Sequence, residues 1–81
     1  MSTNSLTLYT GAGCHLCEDA KALIFSVLPP DWQLKEVNIG SRPELQAAYG
    51  QRIPVVVIGG QEKGWPFSAG QLKNMLASAS A

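Results

Sequence analysis

Hydrophobic positions along this 81-residue chain change their period several times, and each change marks an element. The first run, Leu6 to Tyr9, is short, with Leu6 and Leu8 on one face, and predicts a β-strand. Gly11 and Gly13 then break it and permit a tight turn. From His15 onward the apolar residues fall at Leu16, Ala20, Leu23, Ile24 and Val27, which is helical spacing. A helix over 15–28 is therefore predicted, closed by Pro29-Pro30. Trp32 to Ile39 alternates imperfectly, which suits an edge strand, and a strand–helix–strand unit of this spacing favours a parallel, right-handed crossover. Ser41 and Glu44 have the form of a capping box and predict a short helix through Leu45 and Tyr49, stopped by Gly50. Ile53-Pro54-Val55-Val56-Val57-Ile58 predicts a strand buried on both faces. Gly59-Gly60 predicts a hairpin turn, with Gln61 to Trp65 as the returning strand. Ser68 and Gln71 form a second capping box, with Phe67 and Leu72 placed as a hydrophobic staple, and Leu72, Met75 and Leu76 give a last helix one apolar side. Residues 1–5 are expected to be loose and residues 77–81 to fray.

The predicted order is β-α-β-α-β-β-α: an α/β chain with a four-stranded mixed sheet flanked by helices. Length allows one domain over residues 1–81, with an ordered core of about 5–77. Hydrophobic residues make up 46%, enough for a core without staples. The formal net charge is zero, so composition gives no electrostatic reason to expect nucleic acid or an anionic membrane as partner. No apolar run approaches the ~20 residues a membrane helix needs. The first five residues carry neither Lys nor Arg and do not read as a secretion signal. The expectation is a cytoplasmic monomer in a reducing compartment.

The candidate chemistry lies at the first strand-to-helix junction, where Cys14 and Cys17, the two cysteines of the chain, stand in a Cys-x-x-Cys pair. The first turn of a helix carries unpaired N–H groups and the positive end of the macrodipole, and both favour thiolate over thiol. Cys17 is about one turn on, within disulfide reach of Cys14. Such a pair near a βα unit reads as a redox dithiol. Structural zinc is the poorer reading: it wants four ligands, and His15 lies awkwardly between the cysteines. So short a loop would also gain little from a purely structural disulfide. Neither a metal site nor a bound cofactor is expected. Glu18 and Asp19, in the first turn, are read as helix-end stabilisation.

The strand–Cys14-His15-Leu16-Cys17–helix start, Ile53-Pro54-Val55 at the head of the third strand, and the element order together resemble the thioredoxin fold in its short glutaredoxin-like form. The resemblance covers roughly residues 5–77 and is nearest to the small bacterial glutaredoxin-like proteins. It implies a thiol–disulfide oxidoreductase serving cell redox homeostasis. By position, Cys14 would be the nucleophile and Cys17 the resolving thiol. Pro54 would be a cis-proline lying against the disulfide, with the amide and carbonyl of Ile53 free for a bound peptide. The partner would be a disulfide-containing protein or a small thiol, with glutathione or a thioredoxin-system reductant as co-substrate. The chain also departs from the pattern. His15-Leu16 replaces the usual Pro-Tyr, no lysine precedes Cys14, and Gly64-Trp65-Pro66-Phe67-Ser68 fills the region that grips the glutathione carboxylate. These departures argue against glutathione binding.

Several assignments stay open at this level. His15, if protonated, would stabilise the neighbouring thiolate; equally, it faces solvent without a role. Arg52 either lies near the thiolate, binds a carboxylate, or is a solvated loop residue. Trp65 and Phe67 offer a substrate surface, although burial of Phe67 as a staple is the simpler account. Trp32 and Tyr49 read as core or rim packing. Two other functional classes compete: a non-catalytic binding or regulatory domain on the same scaffold, and a metal-ion chaperone, whose usual βαββαβ order differs from the one predicted.

Overall fold

The computed structural model of the chain describes residues 4–80. Strand β1 spans Asn4–Thr10, helix α1 His15–Val27 and strand β2 Trp32–Asn38. A 3-10 turn follows at Ile39–Ser41, then helix α2 at Pro43–Tyr49. Strands β3 (Val55–Ile58) and β4 (Gln61–Gly64) precede helix α3 at Ala69–Ser80. The sheet order is β2-β1-β3-β4. β1 and β2 run parallel, while the β1–β3 and β3–β4 pairs are antiparallel. The expected α/β architecture, element order and edge position of β2 are all present.

Register explains how the layers form. Leu8 lies opposite Val56, so Leu6, Leu8, Val56 and Ile58 share one face. They are buried with Ala20 and Ile24 of α1 and with Leu72 and Leu76 of α3, joined by Trp32 and Phe67. The opposite face carries Thr7, Tyr9, Val55 and Val57. There Tyr9 stacks on Tyr49 of α2, with ring centroids 4.4 Å apart. Two helices therefore cover one face and the short α2 covers part of the other. Helix α1 opens, and α2 closes, at one end of the sheet. That end is where β1 runs out and β3 begins.

Some local expectations are corrected. β1 already starts at Asn4, inside the segment expected to be loose, and continues to Thr10; residues 1–3 lie outside the described residues. β2 ends at Asn38, because Ile39 enters the 3-10 turn. Ser41 does not cap α2. The Asn38 side chain caps the preceding turn by accepting from the Gly40 N–H at 2.7 Å. Helix α2 then opens two residues after Ser41, on Pro43, with Arg42 at its cap and no side-chain capping bond. The other capping box is made in full. Ser68 Oγ accepts from the Gln71 N–H at 3.1 Å, and Gln71 Oε1 accepts from the Ser68 N–H at 3.0 Å. Helix α3 continues to Ser80 instead of fraying from Ala77. Its far end is braced by the β3–β4 hairpin: a Cβ built on Gly59 would lie 2.8 Å from that of Ala79. Ala81 lies outside the described residues. Gly59 and Gly60 form the hairpin turn with φ of +56° and +85°, the left-handed pair a two-residue turn demands.

Candidate active site

β1 delivers the chain to a loop, Gly11-Ala12-Gly13, in which Gly13 takes a φ of +72°. This left-handed step is open to glycine at little cost and sets the extended Cys14 at the cap of α1. Cys14 and Cys17 are joined as a disulfide, with Cα atoms 5.3 Å apart. The Cys17 N–H donates to Cys14 Sγ at 3.1 Å. The first sulfur thus takes the place a serine or aspartate oxygen takes in an ordinary helix cap. The two cysteines differ in burial: Cys17 is 2% exposed, whereas Cys14 is half-buried. A reagent arriving from solvent therefore meets Cys14 first.

His15, the first residue of α1, is exposed, and so is Leu16 at 48%. Glu18, in the first helical turn, reaches toward Lys21 at 3.6 Å.

Sequence reasoning gave no role to the polar cluster beneath this turn. Thr10, buried at the end of β1, donates from Oγ1 to Glu36 Oε2 at 3.2 Å. Glu36 Oε1 meets Lys21 Nζ at 2.9 Å. The hydrogen bond to Glu36, more than any other contact, raises the Lys21 pKa above its usual 10.5. The cluster ties α1 to the edge strand one helical turn past Cys17. Glu36 does fall on the Trp32–Leu34 side in the strand alternation, which was the available signal.

The other side of the loop is the head of β3. Tyr9 lies opposite Val55, so the register carries Pro54 opposite Thr10, beside the cysteine loop. The Ile53–Pro54 peptide bond is cis. Gly11 packs closely here: a Cβ on it would stand 2.7 Å from Ile53 Cδ1. The Pro54 carbonyl accepts from the Trp65 N–H at 3.0 Å. Contrary to the expectation of a free amide, the Ile53 N–H donates to the Tyr49 carbonyl at 3.1 Å, because α2 ends directly beneath it. Of the two Ile53 backbone groups, the carbonyl has no backbone partner among the described residues.

Trp65 is half-buried against the core, its ring edge-on to Phe67 at 5.1 Å and its bond to Pro66 also cis. Phe67 is buried with Leu72, as a staple requires. Arg52 is not a loosely solvated loop residue. Its Nη2 donates to Glu62 Oε1 at 3.1 Å, and its guanidinium sits 5.3 Å from the Tyr49 ring centroid. It binds a carboxylate, but one supplied by its own chain. The structure thus gathers Cys14, Cys17, His15, Leu16 and Ile53-Pro54 at one end of the sheet, with Arg52 and Trp65 flanking the proline.

Comparison with known proteins agrees with this arrangement. A search of curated proteins finds no match. Among solved structures, the X-ray structure of Northeast Structural Genomics target protein XcR50 from X. campestris is 36% identical, with a TM-score of 0.78, over 91% of this chain and 97% of that one. The solution structure of the same target gives the same identity and TM-score, over 94% of its chain. Thioredoxin O2 from Arabidopsis thaliana, in its oxidized state, is 21% identical with a TM-score of 0.61, over 95% of this chain and 75% of that one; it shares the fold. The model of the family Glutaredoxin-like domain (DUF836) matches residues 5–77. The sheet, the Cys-x-x-Cys at the end of β1 and this match converge, and the chain belongs to the glutaredoxin-like domain family.

Proposed function

We propose that the chain is a thiol–disulfide oxidoreductase working through Cys14 and Cys17, as a monomer, in a reducing compartment such as the cytoplasm. The observation that supports this best is the asymmetry of the pair: an accessible sulfur at a helix cap, backed by a buried one. In the reduced form, the Cys14 thiolate attacks a substrate disulfide R–S–S–R′. A Cys14–S–S–R bond forms, and R′S⁻ leaves and takes a proton from solvent. The Cys17 thiol then loses its proton and attacks Cys14 Sγ. The mixed disulfide breaks, RS⁻ is released and protonated, and the Cys14–Cys17 bond closes. The substrate gains two electrons and two protons. A thiol reductant, glutathione or a thioredoxin-system dithiol, returns the pair to its reduced form.

The chain's own groups act by position. The Cys17 amide and the α1 N-terminus favour the Cys14 thiolate. Pro54, Ile53 and Trp65 form the wall against which a substrate lies, and the exposed His15 stands ready to meet the developing charge. The test is turnover of hydroxyethyl disulfide with a thiol reductant, combined with mass spectrometry. Cys14→Ser is expected to abolish turnover, and Cys17→Ser to accumulate a stable mixed disulfide on Cys14. Equal alkylation rates for both cysteines in the reduced protein, neither faster than a free peptide cysteine, would overturn the assignment. One observation favours a second reading, a binding domain on the same scaffold: the Ile53 amide is already occupied. That reading predicts complex formation without turnover.

A further inference from the structure

Arg52 is the cation that the fold sets beside Ile53-Pro54, and its charge is already spent. One face of the guanidinium lies over Tyr49, and its Nη2 is bonded to Glu62. The second Glu62 oxygen accepts from the Tyr49 hydroxyl at 2.5 Å. Tyr49 is itself fixed by its stack on Tyr9. Glu62, on β4, is therefore held at both oxygens by groups from α2 and the loop after it. These bonds, with the Tyr49 hydroxyl first, hold its carboxyl below the usual 4.5. The cysteine loop brings no replacement cation: residues 11–13 are Gly, Ala and Gly. The loop is nevertheless close, since Gly11 packs on Ile53. Cys14 lies three residues beyond Gly11, roughly 10 Å of chain at full extension. Between the cysteines both side chains are exposed, His15 and the apolar Leu16.

We propose that Glu62 is a selectivity residue: its carboxylate fills the place on Arg52 that the carboxylate of a small acidic disulfide would take. The site thereby turns away glutathione-like disulfides and favours protein disulfides flanked by neutral or apolar residues. This deepens the oxidoreductase reading and rests on it for the term substrate, but the selectivity itself is read by binding. The probe is S-methylglutathione, a thioether that cannot exchange, compared with its dimethyl ester by calorimetric titration at low ionic strength, where such pairs are least screened. Glu62→Gln is expected to tighten S-methylglutathione binding by roughly 1.5- to fivefold, the range open to an exposed ion pair, and to leave the ester unchanged. Adding Arg52→Gln should erase the gain. Tyr49→Phe removes one bond to Glu62 but keeps the ion pair and the ring, and should change nothing. The proposal is overturned by no gain in Glu62→Gln, by an equal gain for acid and ester, or by the same gain in Tyr49→Phe, which would assign the effect to a loosened cluster. If the wild type fails to turn over hydroxyethyl disulfide, the oxidoreductase reading falls while these affinities still decide the role of Glu62.

Discussion

At Cys14 the sulfur is both cap and reactive atom, and that double duty has a measurable outcome. Replacing it with serine keeps an acceptor for the Cys17 N–H, so Cys14→Ser should cost the helix little while ending disulfide exchange. Cys14→Ala loses the acceptor as well and should lower stability by about 1 kcal/mol relative to Cys14→Ser, read from urea unfolding of the reduced proteins. The Tyr49–Glu62 bond acts at two ends of the pH scale. It lowers the Glu62 pKa and is the first cause raising that of Tyr49 above 10.0. A lowered acid contributes stability above its unfolded value and loses it as pH falls through the folded value. A raised tyrosine contributes below its unfolded value and loses it as pH climbs through the folded one. The melting temperature of wild type minus that of Glu62→Gln should therefore be greatest at neutral pH. It should shrink below about pH 4 and again above about pH 10, the ordinary carboxyl and phenol ranges. A flat difference would show that the bond is not formed in solution.

Helix ends show how far local signals carry. Ser68 and Gln71 stand in reciprocal bonds, and Ser68→Ala should cost about 1 kcal/mol. Ser41 has the same motif in sequence yet caps nothing, so Ser41→Ala should fall within about 0.5 kcal/mol of wild type by the same unfolding assay. The motif is a statement about four positions, and its fate depends on what precedes it. Phe67 anchors the second box in the core, whereas Asn38 claims the turn before the first. The hairpin was legible for a similar reason: two glycines between β-branched and polar runs leave few alternatives. The dithiol at the strand-to-helix junction was equally plain from spacing and period. The Ile53 amide, the Arg52–Glu62 pair and the Thr10–Glu36–Lys21 cluster were not. Each joins groups on different elements, and no period within one element encodes a partner on another.

For the molecule as a whole, stability comes from one layer. The apolar cluster between the sheet and α1 with α3 holds most of the fully buried side chains, with Val55 and Pro54 outside it, while α2 buries none. Leu72→Ala, at its centre, should cost about 3 kcal/mol. At 0.05–0.15 kcal/mol per residue, a chain of this length has only about 4–12 kcal/mol in total, so the variant should melt far lower. An exposed change on α2 such as Ala47→Ser should hardly register by comparison. No helix of the described residues is long and apolar enough to cross a membrane.

The contact between Gly59 and Ala79 fixes where a handle can be attached. β3 leads away from the cysteines, so its hairpin turn and the last turn of α3 share the far pole of the domain. A dye or surface tether coupled at Ser78 would stand at that pole, leaving the dithiol facing the bulk. Single molecules anchored this way would present every sulfur in the same orientation to an electrode or a passing substrate.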